Sequence, residues 1–156
     1  MLGLISLIGL PGSGKSTVGR QLARRFSFSF LDSDYVIEQT VGCSIREFFE
    51  REGEERFRDL EQETLARLVL ESNTALTVLG AAPLAAAPNS HTHSLTRTVT
   101  AAHAATEPLG AARPTSPRGV VLSTGGGAVL RAANRAVLRG AGHVVYLRAT
   151  PEDLYR

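Results

Sequence analysis

Cysteine is almost absent: Cys43 is the only one in 156 residues. An intrachain disulfide is therefore excluded, in keeping with a reducing, cytoplasmic location. No histidine lies near Cys43 in sequence, so a nucleophilic role has no base to support it. A strong charge of one sign is also missing. Seventeen Lys plus Arg against fifteen Asp plus Glu leave +2, too little to make nucleic acid or an anionic membrane the main partner. The apolar run Leu2–Leu10 has no basic leader and is only of strand length, so a buried strand is expected rather than a signal peptide or membrane span. Lysine is scarcer still. Sixteen of the seventeen basic residues are Arg, and Lys15 is the sole lysine.

That lysine stands in Gly9-Leu10-Pro11-Gly12-Ser13-Gly14-Lys15-Ser16-Thr17, which fits G-x-x-x-x-G-K-[ST], a phosphate-binding P-loop. The apolar run before it reads as a strand. Val18, Leu22 and Phe26 after it recur at helical spacing. Strand, glycine loop and helix are what phosphate binding requires: glycines let backbone N–H groups turn inward, and the helix aims its positive end at the anion. Lys15 is placed to reach terminal phosphates and the Ser16 hydroxyl to hold Mg2+. Elsewhere the sequence uses Arg for positive charge; here it uses a compact ammonium on a flexible stem.

A second strand, Phe28–Leu31, runs into Asp32-Ser33-Asp34. A period of two puts both aspartates on one side where the chain leaves the sheet, at the carboxyl end where open parallel sheets bind ligands. Metal and substrate contacts are one role for this pair; capping the helix expected over 35–40 is the other. Ser44 with Glu47 has the form of a capping box. Gly53 marks a break, and a helix is expected from Glu54 to about Glu71 with Phe57, Leu60, Leu65 and Leu68 on one face. Arg58 and Glu61, three apart, can pair; as a surface pair they would contribute only a few tenths of a kcal/mol.

From Asn73 to Arg118 the composition changes to twelve alanines, eight threonines, five prolines and no aromatic residue. This is expected to be a low-complexity, disordered insertion within a single domain spanning 1–156. Lengthening a loop from about four to about fifty residues costs on the order of 2 kcal/mol, so the fold tolerates it. His91 and His93 fall here without carboxylate or thiolate partners nearby, and no metal site is expected from them. Val120–Thr124 reads as a strand leading into Gly125-Gly126-Gly127, where the backbone can approach a ligand closely. A helix over 131–139, a strand over 143–147 and a helix start at Thr150-Pro151 complete the pattern.

Taken in order, GLPGSGKST, LDSD, the Gly53-Glu54…Phe57-Arg58…Glu61 stretch, TGGG and VVYL resemble shikimate kinase, over residues 1–72 and 120–156. The resemblance implies an α/β fold, a P-loop three-layer α/β/α arrangement around a central parallel sheet. It implies transfer of a phosphoryl group from MgATP to the 3-hydroxyl of shikimate by a cytoplasmic, monomeric enzyme. Carried over by residue, Gly12, Ser13, Gly14, Lys15, Ser16 and Thr17 would hold ATP; Ser16 and Asp32 would hold Mg2+. Lys15 and Asp34 would be catalytic. Asp34, Arg58 and Gly125, Gly126 and Gly127 would bind shikimate, with Glu61 orienting Arg58. Positioning and charge neutralisation are what phosphoryl transfer needs, and a guanidinium suits a carboxylate substrate. The family's lid, its later arginines and a fifth strand have no counterpart before Arg156, so a C-terminally truncated chain of impaired activity is expected. Other readings of the residues are a different small-molecule P-loop kinase, such as a gluconate kinase, and a non-catalytic nucleotide-binding remnant.

Overall fold

A computed structural model describes residues 3–80 and 118–150. Four strands form one parallel sheet in the order β2-β3-β1-β4: β1 (Gly3–Ile8), β2 (Ser29–Asp32), β3 (Gly119–Ser123) and β4 (His143–Tyr146). The register sets Ile5 beside Val121 and His143, and Phe30 beside Val121. Both faces are covered. On one, Leu7, Phe30 and Val121 pack with Ala23 of α1 (Lys15–Phe26). On the other, Leu4, Val120 and Leu122 meet Leu65, Leu68 and Val69 of α3 (Ile45–Gly80) and Leu138 of α4 (Ala132–Ala141). Alternate residues of β1 and β3 thus serve opposite layers, as strand periodicity requires. The three-layer α/β/α arrangement is that expected from the sequence. β4 is an edge strand among the described residues, and all four of its residues are exposed.

β1 and β3 are neighbours, yet the helix after β1 packs on one face and the helix after β3 on the other. The connections diverge there and open a crevice at the carboxyl ends of the two strands, the usual ligand position in such sheets. Thr124 closes its floor: its backbone N–H and its hydroxyl both donate to the Leu7 carbonyl, at 3.1 and 3.0 Å.

Three elements depart from the periodicity. In α1 the buried residues are Lys15, Gly19 and Ala23, while Val18 and Phe26 are exposed. A Cβ on Gly19 would stand 2.6 Å from the Phe30 ring; the helix lies so close to the sheet there that only glycine fits, while Leu22 packs half-buried beside it. α2 (Ser33–Val41) begins directly after β2, so Asp34 belongs to a helix and not to the strand's alternation. α3 reaches Gly80, well past Glu71, and its buried face comprises Phe57, Glu61, Thr64, Leu65, Leu68, Val69 and Ser72, with Leu60 half-buried. Gly53 interrupts it with φ 82° and ψ 171°, a left-handed φ that favours glycine. The capping box before it forms: Ser44 N–H donates to Glu47 Oε2 at 2.9 Å and Glu47 N–H to Ser44 Oγ at 3.2 Å. Residues 81–117, with His91 and His93, and the helix start after Thr150 lie outside the described residues.

Candidate active site

The P-loop, residues 9–17, leaves β1 and runs into the first turn of α1. Gly12 and Gly14 take φ of 80° and 83°, left-handed values that let the loop curl, and Ser13 N–H closes a turn on the Leu10 carbonyl at 3.1 Å. Gly14 then caps α1 without any side-chain bond, leaving the first helical N–H groups to point outward. Lys15 is buried, and its ammonium donates to the carbonyls of Gly9 at 2.9 Å and Leu10 at 2.7 Å. Burial lowers its pKa, against the opposing pull of Asp34 and Asp32. Thr17 is exposed.

Asp32, at the end of β2, performs the capping role that its sequence position allowed and turns its other oxygen to the P-loop. Its Oδ1 accepts the backbone N–H of Asp34 at 3.1 Å and so caps α2, while Oδ2 accepts the Ser16 hydroxyl at 2.5 Å. Ser123, at the end of β3, places its own hydroxyl 3.3 Å from that of Ser16. Ser16 and Asp32 thus present hard oxygen donors side by side beneath the loop, a set that fits Mg2+ completed by phosphate and water oxygens. Among the described residues no group of three or more His, Cys, Asp or Glu could hold a metal.

The glycine triplet joins these parts, and each glycine is needed for a different neighbour. A Cβ on Gly125 would lie 2.6 Å from Asp34 Oδ1 and 2.7 Å from Glu61 Oε1. One on Gly126 would lie 2.5 Å from the Pro11 ring of the P-loop. On Gly127 it would overlap the Arg58 guanidinium. Loop, α2 and α3 therefore converge on three residues that carry no side chains.

Asp34 is pushed up to about 6, first by burial and then by the Asp32 and Glu61 carboxylates, with Lys15 opposing. Arg58 is held by Glu61 through Nη1 at 2.9 Å and by Glu54 through Nη2 at 3.2 Å, and it lies over the Phe57 and Phe49 rings. Glu61 is only 1% exposed, so this is no surface pair of a few tenths of a kcal/mol; removing either member would leave a charge stranded in the interior. Arg58 Nε is buried without a partner.

Three contributors escaped sequence reasoning. Ser33 is fully buried and accepts the Gly125 N–H at 3.0 Å. Ser123 and Thr124 lie in a run read only as a strand. The sole available signal was their adjacency to residues already singled out. Arg131 also ties the start of α4 to α3, donating to Asp59 at 2.7 Å and to Gln62 at 3.2 Å.

Comparison with known proteins gives consistent results. A family model described as shikimate kinase matches residues 11–101 and 109–156. Curated relatives include a shikimate kinase of Paracidovorax citrulli, 45% identical over 97% of this chain and 59% of its own length. Another is a shikimate kinase of Ralstonia nicotianae, 38% identical over 97% of this chain and 55% of its own length. The chain thus spans somewhat over half the length of these relatives. Among solved structures, shikimate kinase from Acinetobacter baumannii in complex with shikimate aligns with a TM-score of 0.66 at 30% identity, covering 99% of this chain and 60% of that one. Shikimate kinase from Bacteroides thetaiotaomicron aligns with a TM-score of 0.67 at 25% identity, over 100% and 62%.

Proposed function

The chain belongs to the shikimate kinase family, and from that premise we propose that it binds MgATP and shikimate and directs the γ-phosphoryl group to the shikimate 3-hydroxyl. The observation that carries the proposal is the glycine triplet, pressed at once against Asp34, the P-loop and Arg58. A phosphate donor on the loop and a hydroxy acid between Asp34 and Arg58 would share the crevice, as in-line transfer requires. The alternative acceptor of a gluconate kinase is not favoured, since the curated relatives at 38% and 45% identity are shikimate kinases.

In this mechanism Arg58, seated against the Gly127 backbone, grips the substrate carboxylate, and Glu61 with Glu54 holds that guanidinium in orientation. Asp34 accepts a hydrogen bond from the reacting hydroxyl and takes its proton as the phosphoryl group arrives. A carboxyl poised at about 6 is ionised at neutral pH and still basic enough to share a proton, the compromise that favours general-base work. Lys15 exchanges its two carbonyl partners for phosphate oxygens, and the N–H groups of residues 12–17 cradle them. Ser16 and Asp32 would hold Mg2+, which when bound neutralises charge on the phosphate oxygens.

Calorimetry on the 156-residue chain tests this. MgADP and shikimate are each expected to bind, and Arg58→Lys is expected to weaken shikimate while leaving MgADP unchanged. A folded chain that binds MgADP but not shikimate would refute the substrate assignment. Loss of both ligands in Arg58→Lys would refute the role given to Arg58. Shikimate-dependent ADP release by the same chain then measures turnover directly.

A further inference from the structure

Ser33 lies between the two aspartates that sequence reasoning selected, and it was assigned nothing. Its side chain is completely buried (0% exposed) and its Oγ accepts the Gly125 N–H at 3.0 Å. The Gly125 carbonyl is also engaged, by the Ala128 N–H at 3.2 Å. Both backbone polar groups of this glycine are thereby fixed. This is the glycine on which a Cβ would collide with both the Asp34 and the Glu61 carboxylates. Asp34 is the next residue after Ser33, on the same first turn of α2. The Ser33–Gly125 bond is therefore the direct tie between the turn that carries Asp34 and the backbone that backs onto Glu61 and, two residues on, Arg58.

We propose that Ser33 is a positioning residue: by holding Gly125, its hydroxyl sets the spacing between Asp34 and the Arg58–Glu61 pair, and so determines binding of the acceptor but not of the nucleotide. The role rests on the proposed shikimate site. Lost hydrogen-bonding to a buried N–H is costly because no water replaces it. Without the hydroxyl, the glycine backbone must shift to find a partner, and a shift of a fraction of an ångström moves the wall shared by Asp34 and Glu61. The P-loop touches the triplet at Pro11, against Gly126, but its own turn is closed within the loop by the Ser13 N–H on the Leu10 carbonyl and so keeps its curl without this bond.

The parent chain and two variants, Ser33→Ala and Ser33→Thr, are compared by calorimetry and by amide hydrogen exchange. Ser33→Ala is expected to lose about tenfold or more in shikimate affinity, with MgADP affinity within about twofold of the parent. Ser33→Thr, which keeps the hydroxyl, is expected to restore shikimate binding. Exchange at Gly125 to Gly127 should speed up in Ser33→Ala while that at Gly12 to Gly14 is unchanged. Equal loss of both ligands in Ser33→Ala would reduce Ser33 to a general fold residue and overturn the proposal, as would unchanged shikimate affinity. If Ser33→Ala does not fold, Ser33→Thr decides: parental shikimate affinity with an unprotected Gly125 amide overturns the proposal, and protection of that amide supports it. Should the parent bind MgADP but no shikimate, the substrate assignment fails by itself, and the exchange contrast between the glycine triplet and the P-loop still decides whether Ser33 holds Gly125 locally.

Discussion

Asp34→Asn is expected to make the chain more stable at neutral pH, even though the proposed mechanism makes Asp34 the proton acceptor. Its carboxyl titrates at about 6 instead of 3.8, because burial and then the neighbouring Asp32 and Glu61 disfavour the charge. The native state therefore keeps this proton to a higher pH than the unfolded chain does. Stability from protonated Asp34 is fully present below about pH 4 and is lost as pH rises through 6. A shift of about 2 units corresponds to about 3 kcal/mol as a ceiling. Asp34 is only part-buried, so solvent screening reduces this, and the N-terminus of α2 favours the carboxylate by up to about 1 kcal/mol. A net gain of about 1–2 kcal/mol for Asn at pH 7.5 remains, or an increase of roughly 1 M in the urea midpoint. Parallel urea titrations at pH 7.5 and pH 3.5 measure it, and the gain should shrink at the lower pH. Equal midpoints at pH 7.5, or a gain independent of pH, would refute the claim that the site strains this carboxylate.

Other consequences follow from the glycine triplet and the buried pair. Gly127→Ala drives a Cβ into the Arg58 guanidinium, so calorimetry should find shikimate affinity reduced by about tenfold or more with MgADP binding retained. Gly126→Ala presses on Pro11, including its backbone nitrogen at 2.9 Å; because a backbone atom cannot simply swing away, MgADP affinity should fall by a similar factor. Arg58→Ala strands Glu61 in the interior and should lower stability by about 3 kcal/mol, with the double variant Arg58→Ala/Glu61→Gln recovering a good part of it in denaturant titrations. An Arg58→Ala chain as stable as the parent would show that the Glu61 carboxylate finds another partner.

Local features were legible in the residues alone because their partners are sequence neighbours. The P-loop turn, the Ser44–Glu47 capping box and the break at Gly53 each close within a few positions, and each formed as expected. Strand identity was similarly local. Helix faces were not: of Val18, Leu22 and Phe26, all at the right spacing, only Leu22 packs, half-buried, against the core, while Gly19 and Ala23 take the buried positions. Spacing gives a helix a stripe, and only the surface it meets decides which stripe is buried.

What the sequence by itself determined is a phosphate-binding loop pattern at Gly9–Thr17, set by the sterics of glycine and the charge of the only lysine. It also selected Asp32, Asp34, Arg58 and the three glycines, although it could not say how they relate. Tertiary structure decided that relation. It brought Ser33 to Gly125 across 92 positions and sank Glu61 until its pairing with Arg58 became an interior one. It also raised Asp34 by burial and like charge. Burial and electrostatic neighbourhood depend on which distant segments the sheet order β2-β3-β1-β4 sets side by side, and no local pattern encodes that.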